Sequence, residues 1–363
     1  MPGSGHCPGA SLELSRDTLV QITREPLQRD VRASLAPARG APARGESEAT
    51  ALVPQRTLRA AIGCTGIGLH SGARIALRLL PGAPDSGIVF RRTDLAGVEI
   101  PARHDHVVDT RLNTTLGLPG GPEAIVGTVE HVMSALAGMG IDNAVVEVDG
   151  AEVPVMDGSA APFVFLIECA GVVAQDAPRQ VVEVLRPIRV AEGEGFVTLL
   201  PASFQGLALE AEIDYPAAAV RRQGRALRLT PAAYKADLAA ARTFGFAEEV
   251  EALRAAGLAR GGSLKNAVVV SGARILNEGG LRFADEFVRH KLLDMVGDLA
   301  LSGLALNARV VARRPGHRLN NQALRALFSD EAAWRVVPAG GFAAGTSVRA
   351  GAGGIAAAAA APA

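Results

Sequence analysis

Lysine is almost absent from this 363-residue chain: among 37 basic residues only Lys235, Lys265 and Lys291 are not arginine. A lysine inside a motif therefore stands out. Excess charge of either sign is absent too, because 37 Asp and Glu balance 37 Lys and Arg. A protein that coats nucleic acid needs clustered cations to neutralise phosphates, so neutrality argues against that class. It leaves room for one small basic pocket that takes a phosphorylated metabolite. Cysteine is sparse, with Cys7, Cys64 and Cys169 widely spaced and odd in number. They form neither a CxxC metal pattern nor a disulfide framework, which fits a reducing compartment. The uncharged stretch Ala350–Ala363 is too short and too weakly apolar to span a bilayer. The N-terminus lacks the compact apolar segment of a secretory signal. The expectation is a cytoplasmic protein with no transmembrane segment.

What is present is enough to build a large core. Hydrophobic residues make up 48% and charged residues 20% of the chain, and the length allows two or three domains. Residues 1–54 are rich in Pro, Gly, Ala, Ser and Arg without a sustained apolar period, as in Ala36-Pro37-Ala38-Arg39-Gly40-Ala41-Pro42. Such a segment cannot bury enough surface to offset its chain entropy, so it reads as a disordered tail. Residues 348–363 read as a second, flexible tail. Between them, Arg74–Leu79 alternates polar and apolar as a half-buried strand does. Asn143–Val148, Val181–Leu185 and Leu207–Ile213 read as further strands. Helices are expected at about 128–139, 162–170, 246–256, 285–301 and 319–328. Strands in runs followed by helices favour an α+β fold over a doubly wound sheet. The best boundary falls near Pro178, giving domains at 55–178 and 180–330.

Three segments carry candidate chemistry. In the helix expected at 285–301, His290, Asp294 and Asp298 recur every four residues and so form one stripe. A His and a carboxylate at that spacing can converge on one cation, although an exposed polar stripe would look the same. A second helix opens on Thr128-Val129-Glu130-His131 amid small apolar residues. A metal on His131 would leave Glu130 beside it, where a base for the attacking water belongs. The plainer reading is a helix-start Glu and a core His. Taken together, His131, His290 and Asp294 make a ligand set with one position open, as catalytic zinc sites have. The third segment, Gly316-His317-Arg318-Leu319-Asn320-Asn321, puts His317 on a loop entering a helix, as a general acid or a solvated residue. Gly66–Gly72 lacks the GxxxxGK[ST] spacing of a phosphate loop and is followed by a strand. It reads as a turn with close backbone packing.

As a set, these segments resemble the UDP-3-O-acyl-N-acetylglucosamine deacetylases, the zinc amidases that commit lipid A synthesis in Gram-negative bacteria. The resemblance runs from Gln55 to about Leu327. It comprises Gly68–Gly72, Thr128–His131, Gly140–Asn143 through Pro154–Phe163, Ala241–Phe246, Phe287–Asp294 and Gly316–Asn321. It implies two similar domains, each a β-sheet packed against helices, with the active site between them. An insert near 261–280 would shape an apolar passage for an acyl chain. By motif, His131, His290 and Asp294 match the zinc ligands, Glu130 the general base and His317 a catalytic His that is cationic during the reaction. Thr243 matches a residue whose hydroxyl holds the acetyl carbonyl or its oxyanion. Lys291, Phe244 and Phe246 fall in the segments that line the nucleotide-sugar site, and Asp298 matches a residue that orients the catalytic His. Some relatives carry Cys near Thr115, so a thiol contribution to metal affinity is not expected here. The implied substrate is UDP-3-O-acyl-N-acetylglucosamine, cleaved by a monomer. Two rivals are a catalytically dead relative that binds nucleotide sugars and a zinc amidohydrolase for another acylated amino sugar. The first would lack Glu130, a ligand or His317, and all are present.

Overall fold

The computed structural model describes residues 52–340. The expected tails therefore lie outside the described residues except for 52–54, and Pro54 already opens a strand. That strand, Pro54–Leu58, pairs antiparallel with Val172–Pro178.

The fold is mixed α and β. A five-stranded sheet runs in the spatial order Ile62–Ile67, Arg74–Pro81, Ala144–Val148, Ile88–Arg92 and Val98–Pro101. In Arg74–Pro81 the alternation seen in the sequence becomes two faces: Ile75, Leu77 and Leu79 are buried while Arg74, Ala76 and Arg78 are exposed. A seven-stranded sheet is built from later residues around Ala305–Arg313. That strand pairs antiparallel with Gly195–Leu200, and parallel with both Gln180–Val184 and Leu207–Tyr215. Two small three-stranded sheets complete the architecture. One holds Val107–Asp109, Thr115–Leu118 and Gly121–Val126; the other holds Phe244–Phe246, Val268–Ser271 and Arg274–Ile275. The apolar segment expected near 261–280 is thus one part of a larger unit that begins at Phe244.

Six α-helices occur among the described residues: α1 (Glu130–Gly138), α2 (Ala161–Ala170), α3 (Pro231–Asp237), α4 (Ala247–Ala255), α5 (Glu286–Leu299) and α6 (His317–Phe328). All but α3 fall close to the expected ranges. The short α3 has a start signal that hydrophobic periodicity overlooks: the Thr230 hydroxyl accepts from Ala233 N–H at 3.1 Å, with Pro231 at the first helical position. Helix α6 opens two residues earlier than expected, so His317 is its first residue rather than part of a loop.

Gly66–Gly72 leads from the strand Ile62–Ile67 into a turn in which the amides of Gly68, His70, Ser71 and Gly72 are already taken. The Glu152 carboxylate accepts from His70 N–H at 2.8 Å, Ser71 N–H at 2.9 Å and the Ser71 hydroxyl at 2.6 Å. Gly261 N–H donates to the Leu69 carbonyl at 3.0 Å, and a side chain on Gly261 would collide with the Gly68 carbonyl. Main chain thus meets main chain where the Phe244–Ile275 unit docks.

The crossing of α1 and α5 brings Glu130 and His131 against His290, Asp294 and Asp298. Gly297 on α5 lies against the Glu130 carbonyl, and a methyl group there would fall inside contact distance of that backbone. Ser134 on α1 donates to the Leu293 carbonyl at 2.8 Å and accepts from the Tyr234 hydroxyl at 2.9 Å. Gly138 leaves room for the Tyr234 ring. Replacing Gly297 by Ala would gain up to about 1 kcal/mol of helix propensity, whereas overpacking against rigid backbone costs about 1–3 kcal/mol or more. The clash wins. Gly297→Ala should therefore lower the unfolding free energy in a denaturant titration, and unchanged or higher stability would show that the helices separate freely.

Candidate metal and acid–base site

The chain reverses just before α1 at Thr128, a non-glycine residue in the left-handed region with φ 56°, whose hydroxyl donates to Glu152 at 3.2 Å. Glu130 and His131 then open α1, both buried. From α5, His290 and Asp294 point at the same place. The three candidate ligand groups, His131, His290 and Asp294, offer atoms that all lie within 4.8 Å of one another. His131 Nε2 is 3.7 Å and His290 Nε2 is 3.3 Å from Asp294 Oδ1. His290 Nδ1 donates to the Ala241 carbonyl at 3.1 Å, which leaves Nε2 with its lone pair facing the cluster.

Asp294 Oδ1 is buried and accepts no hydrogen bond. A carboxylate oxygen left bare between two imidazoles is costly unless a cation completes it. The donor set, two imidazole nitrogens and one carboxylate oxygen, fits a divalent transition metal.

Protonation states agree with that use. Burial pushes His290 down to about 3, so its ring is neutral and able to ligate. Burial opposes the charge on Asp294, but His290 and Lys291 outweigh it and hold the carboxyl well below its usual range. Of these two we hold the Lys291 ammonium responsible, since the His290 ring is itself neutral. Lys291 Nζ donates to Asp294 Oδ2 at 2.8 Å, and this partner keeps the half-buried ammonium charged. The one lysine in a motif is therefore bound to a candidate metal ligand here.

Next to the ligands lies an acid–base pair. Burial raises the Glu130 carboxyl above its ordinary value, partly offset by His317. His317 Nε2 is 3.9 Å from Glu130 Oε1, and its Nδ1 contacts Asp298 Oδ2 at 2.9 Å. Burial and the start of a helix both disfavour imidazolium. The Asp298 and Glu130 carboxylates outweigh burial and lift His317 to about 10. Asn320, one turn along α6, donates to the same Asp298 oxygen at 2.8 Å. The expected stripe of His290, Asp294 and Asp298 thus serves two neighbours.

The remaining candidates form a wall beside the ligands. Phe244 meets Phe287 edge-on at 4.9 Å and lies 6.3 Å from both the His290 and Phe246 rings. Lys291 Nζ sits 5.5 Å from the Phe244 centroid. Tyr215, which no sequence motif singled out, contacts Phe244 and Phe246 at 5.7 and 5.6 Å. Thr243 has its backbone fixed by Gly158 and Val268, while its hydroxyl bonds to no protein group among the described residues. A cavity of about 890 Å³ lies away from all of these residues, lined in part by Met133, Leu136, Val296 and Leu299. The latter two project about half a turn from the His290 stripe. Donor chemistry, not cavity size, identifies the site.

Residues 55–329 match the family of the UDP-3-O-acyl N-acetylglycosamine deacetylases. The chain belongs to this family. It is 49% identical over 289 residues to the UDP-3-O-acyl-N-acetylglucosamine deacetylase of Acidithiobacillus ferrooxidans, covering 79% of this chain and 93% of that protein. The protein of the same name from Cellvibrio japonicus is 48% identical, covering 79% of this chain and 94% of the relative. That of Myxococcus xanthus is 48% identical, over 78% and 90% respectively. The shared region coincides with the span over which the motifs resemble the family.

The ligand geometry gives a direct test. Purified protein is expected to hold one divalent ion per chain, removable by chelation and restored by adding the metal. His290→Ala should lose that ion by elemental analysis. Full stoichiometry in the variant would take His290 out of the ligand set.

Proposed function

We propose that this chain hydrolyses the acetamide of UDP-3-O-acyl-N-acetylglucosamine, releasing acetate in the committed step of lipid A synthesis. Family membership supplies the substrate class. The observation that carries the chemistry is the bare Asp294 oxygen between two imidazoles, with the Glu130–His317 pair beside it. His131, His290 and Asp294 would hold the ion, which we take to be zinc. Such an ion acts as a Lewis acid and brings the pKa of a bound water toward ~7.

The protein groups supply the rest. Glu130, adjacent to His131, accepts the proton of the water that attacks the acetamide carbon. His317 is cationic at the start, close enough to Glu130 to share its field, and serves the oxyanion or protonates the departing amine. Asp298 holds the His317 ring and favours its charged form. The unengaged Thr243 hydroxyl donates to the developing oxyanion. Phe244, Phe246 and Lys291 line the nucleotide-sugar side, where the Lys291 ammonium, held by Asp294 Oδ2, would face a substrate phosphate. Residues 55–178 and 180–330 act as two domains in this reading, with the passage for the acyl chain near 261–280. We place the enzyme in the cytoplasm as a monomer; among the described residues no helix is long and apolar enough to cross a membrane.

Acetate release from the UDP-linked acylated sugar, compared with other acylated amino sugars and with simple acetamides, tests the substrate. Equal rates on all would sink the assignment. Glu130→Gln should keep the metal and lose activity by about 10²–10⁴-fold, because an amide cannot act as the base. Near-normal turnover would move that role elsewhere.

A second outcome concerns pH. Glu130, raised by burial, governs the acid limb of the rate profile, and His317, raised by the Asp298 and Glu130 carboxylates against burial, governs the alkaline limb. A bound cation lowers both without reversing the effect of Asp298. Removing that carboxylate weakens the preference for imidazolium, so Asp298→Asn should shift the alkaline limb to lower pH at unchanged metal content. A limb that stays put or rises would break the coupling.

A further inference from the structure

Thr114 touches Glu130 and also Asp298, the carboxylate that holds His317. It is buried, just ahead of strand Thr115–Leu118. Its N–H donates to Glu130 Oε2 at 3.1 Å, and its carbonyl accepts from Val129 N–H at 3.3 Å, before α1 begins. Its hydroxyl contacts Asp298 Oδ1 at 2.6 Å. An ionised carboxylate only accepts, so the hydroxyl must be the donor.

The bonds around Asp298 show what that hydroxyl controls. Oδ2 takes both the His317 ring and the Asn320 amide, at 2.9 and 2.8 Å, while Thr114 is the partner of Oδ1. The carboxylate plane is thus set by donors on both sides. Without Thr114 the group keeps two donors on one oxygen and none on the other, and it can rotate. The opposite end of the same residue fixes Glu130, whose other oxygen faces His317. One buried threonine therefore sets the base and the orienter of the acid relative to each other, from a segment 184 positions away from Asp298 in sequence.

We propose that Thr114 is a positioning residue for this reaction, locking the Asp298 carboxylate that aims His317 and the Glu130 carboxylate that faces it. The proposal rests on the deacetylase reading above and adds to it a residue that does not itself touch substrate or metal. Its backbone bonds survive substitution; its hydroxyl does not. A charge-assisted hydrogen bond from a buried hydroxyl is among the stronger contacts a side chain makes, so its loss should be felt in orientation.

The test compares Thr114→Val with Thr114→Ser in the full-length, metal-loaded protein. Thr114→Val should lower kcat by about 10–100-fold at KM within about twofold, with metal content unchanged. Thr114→Ser should recover kcat to within about threefold. A purely structural threonine would lower thermal stability without this kcat loss in the folded fraction. The His317 Nδ1 proton resonance reads the Asp298 contact without any substrate. It should broaden or move upfield in Thr114→Val and be retained in Thr114→Ser. If Thr114→Val fails to accumulate folded, Thr114→Cys, with a weak donor of similar size, takes its place. Wild-type kcat and an unaltered resonance in the hydroxyl-free variant would overturn the proposal, as would a serine variant as impaired as valine. Absence of acetate release by the wild type would instead fail the deacetylase reading, and the resonance comparison would still decide the role of Thr114.

Discussion

The site exists because two helix backbones touch. At the crossing of α1 and α5, Gly297 accepts the Glu130 carbonyl into the space a side chain would fill. That one close approach puts the first turn of α1, with Glu130 and His131, against the middle of α5, with His290, Asp294 and Asp298. Helices kept apart by ordinary side chains have axes about 8–10 Å apart. Here the small residues Gly297 and Ser134 shorten the reach, and the Tyr234–Ser134–Leu293 chain of hydrogen bonds pins it from behind.

Such proximity has an electrostatic cost. Glu130, Asp294, Asp298, His131 and His290 are all buried close together with Lys291 half-buried at their edge, and isolated charges there would be prohibitive. The arrangement divides the problem. Asp298 and Glu130 share His317, so one imidazolium serves two carboxylates. Asp294 leans on Lys291 through one oxygen and keeps the other free. What is left over at the ligand cluster is a bare carboxylate oxygen between two imidazole rings, and that imbalance is the capacity to bind a cation.

Much of this was legible in the sequence because it is local. The stripe at 290, 294 and 298 follows from helical periodicity, and Glu130-His131 sits where small apolar residues announce a buried helix. Their convergence is another matter: His131 and His290 are joined only by tertiary packing, so donor chemistry could group them and a family resemblance support the grouping, but spacing could not derive it. Asn320 lies inside a segment that had been singled out and Thr114 does not, yet neither carries a signal of its role. A threonine before a strand and an asparagine in a helix are ordinary until Asp298 is placed between them. Tyr215 was invisible for the same reason, since an aromatic at the end of a strand reads as core. The short α3 was missed because periodicity needs length, whereas its Thr-Pro start does not. The extent of the Phe244–Ile275 unit was also hidden, because its sheet begins with three residues inside a motif attributed to the active site.

The docking of that unit onto the Gly66–Gly72 turn has a consequence for how the protein can vary. Backbone atoms make the joint: Gly261 N–H to the Leu69 carbonyl, and Arg260 N–H to that of His70. Glu152 in turn braces the turn through amides and a serine hydroxyl. Apart from the glycines that let the backbones meet, a seam of main chain is indifferent to the side chains that flank it. Leu264 and Leu276, both exposed on this unit, can therefore be exchanged for longer or shorter residues without loosening the attachment. The anchorage and the tailoring of an apolar surface are separate degrees of freedom, so natural drift can retune one while the other stays constant.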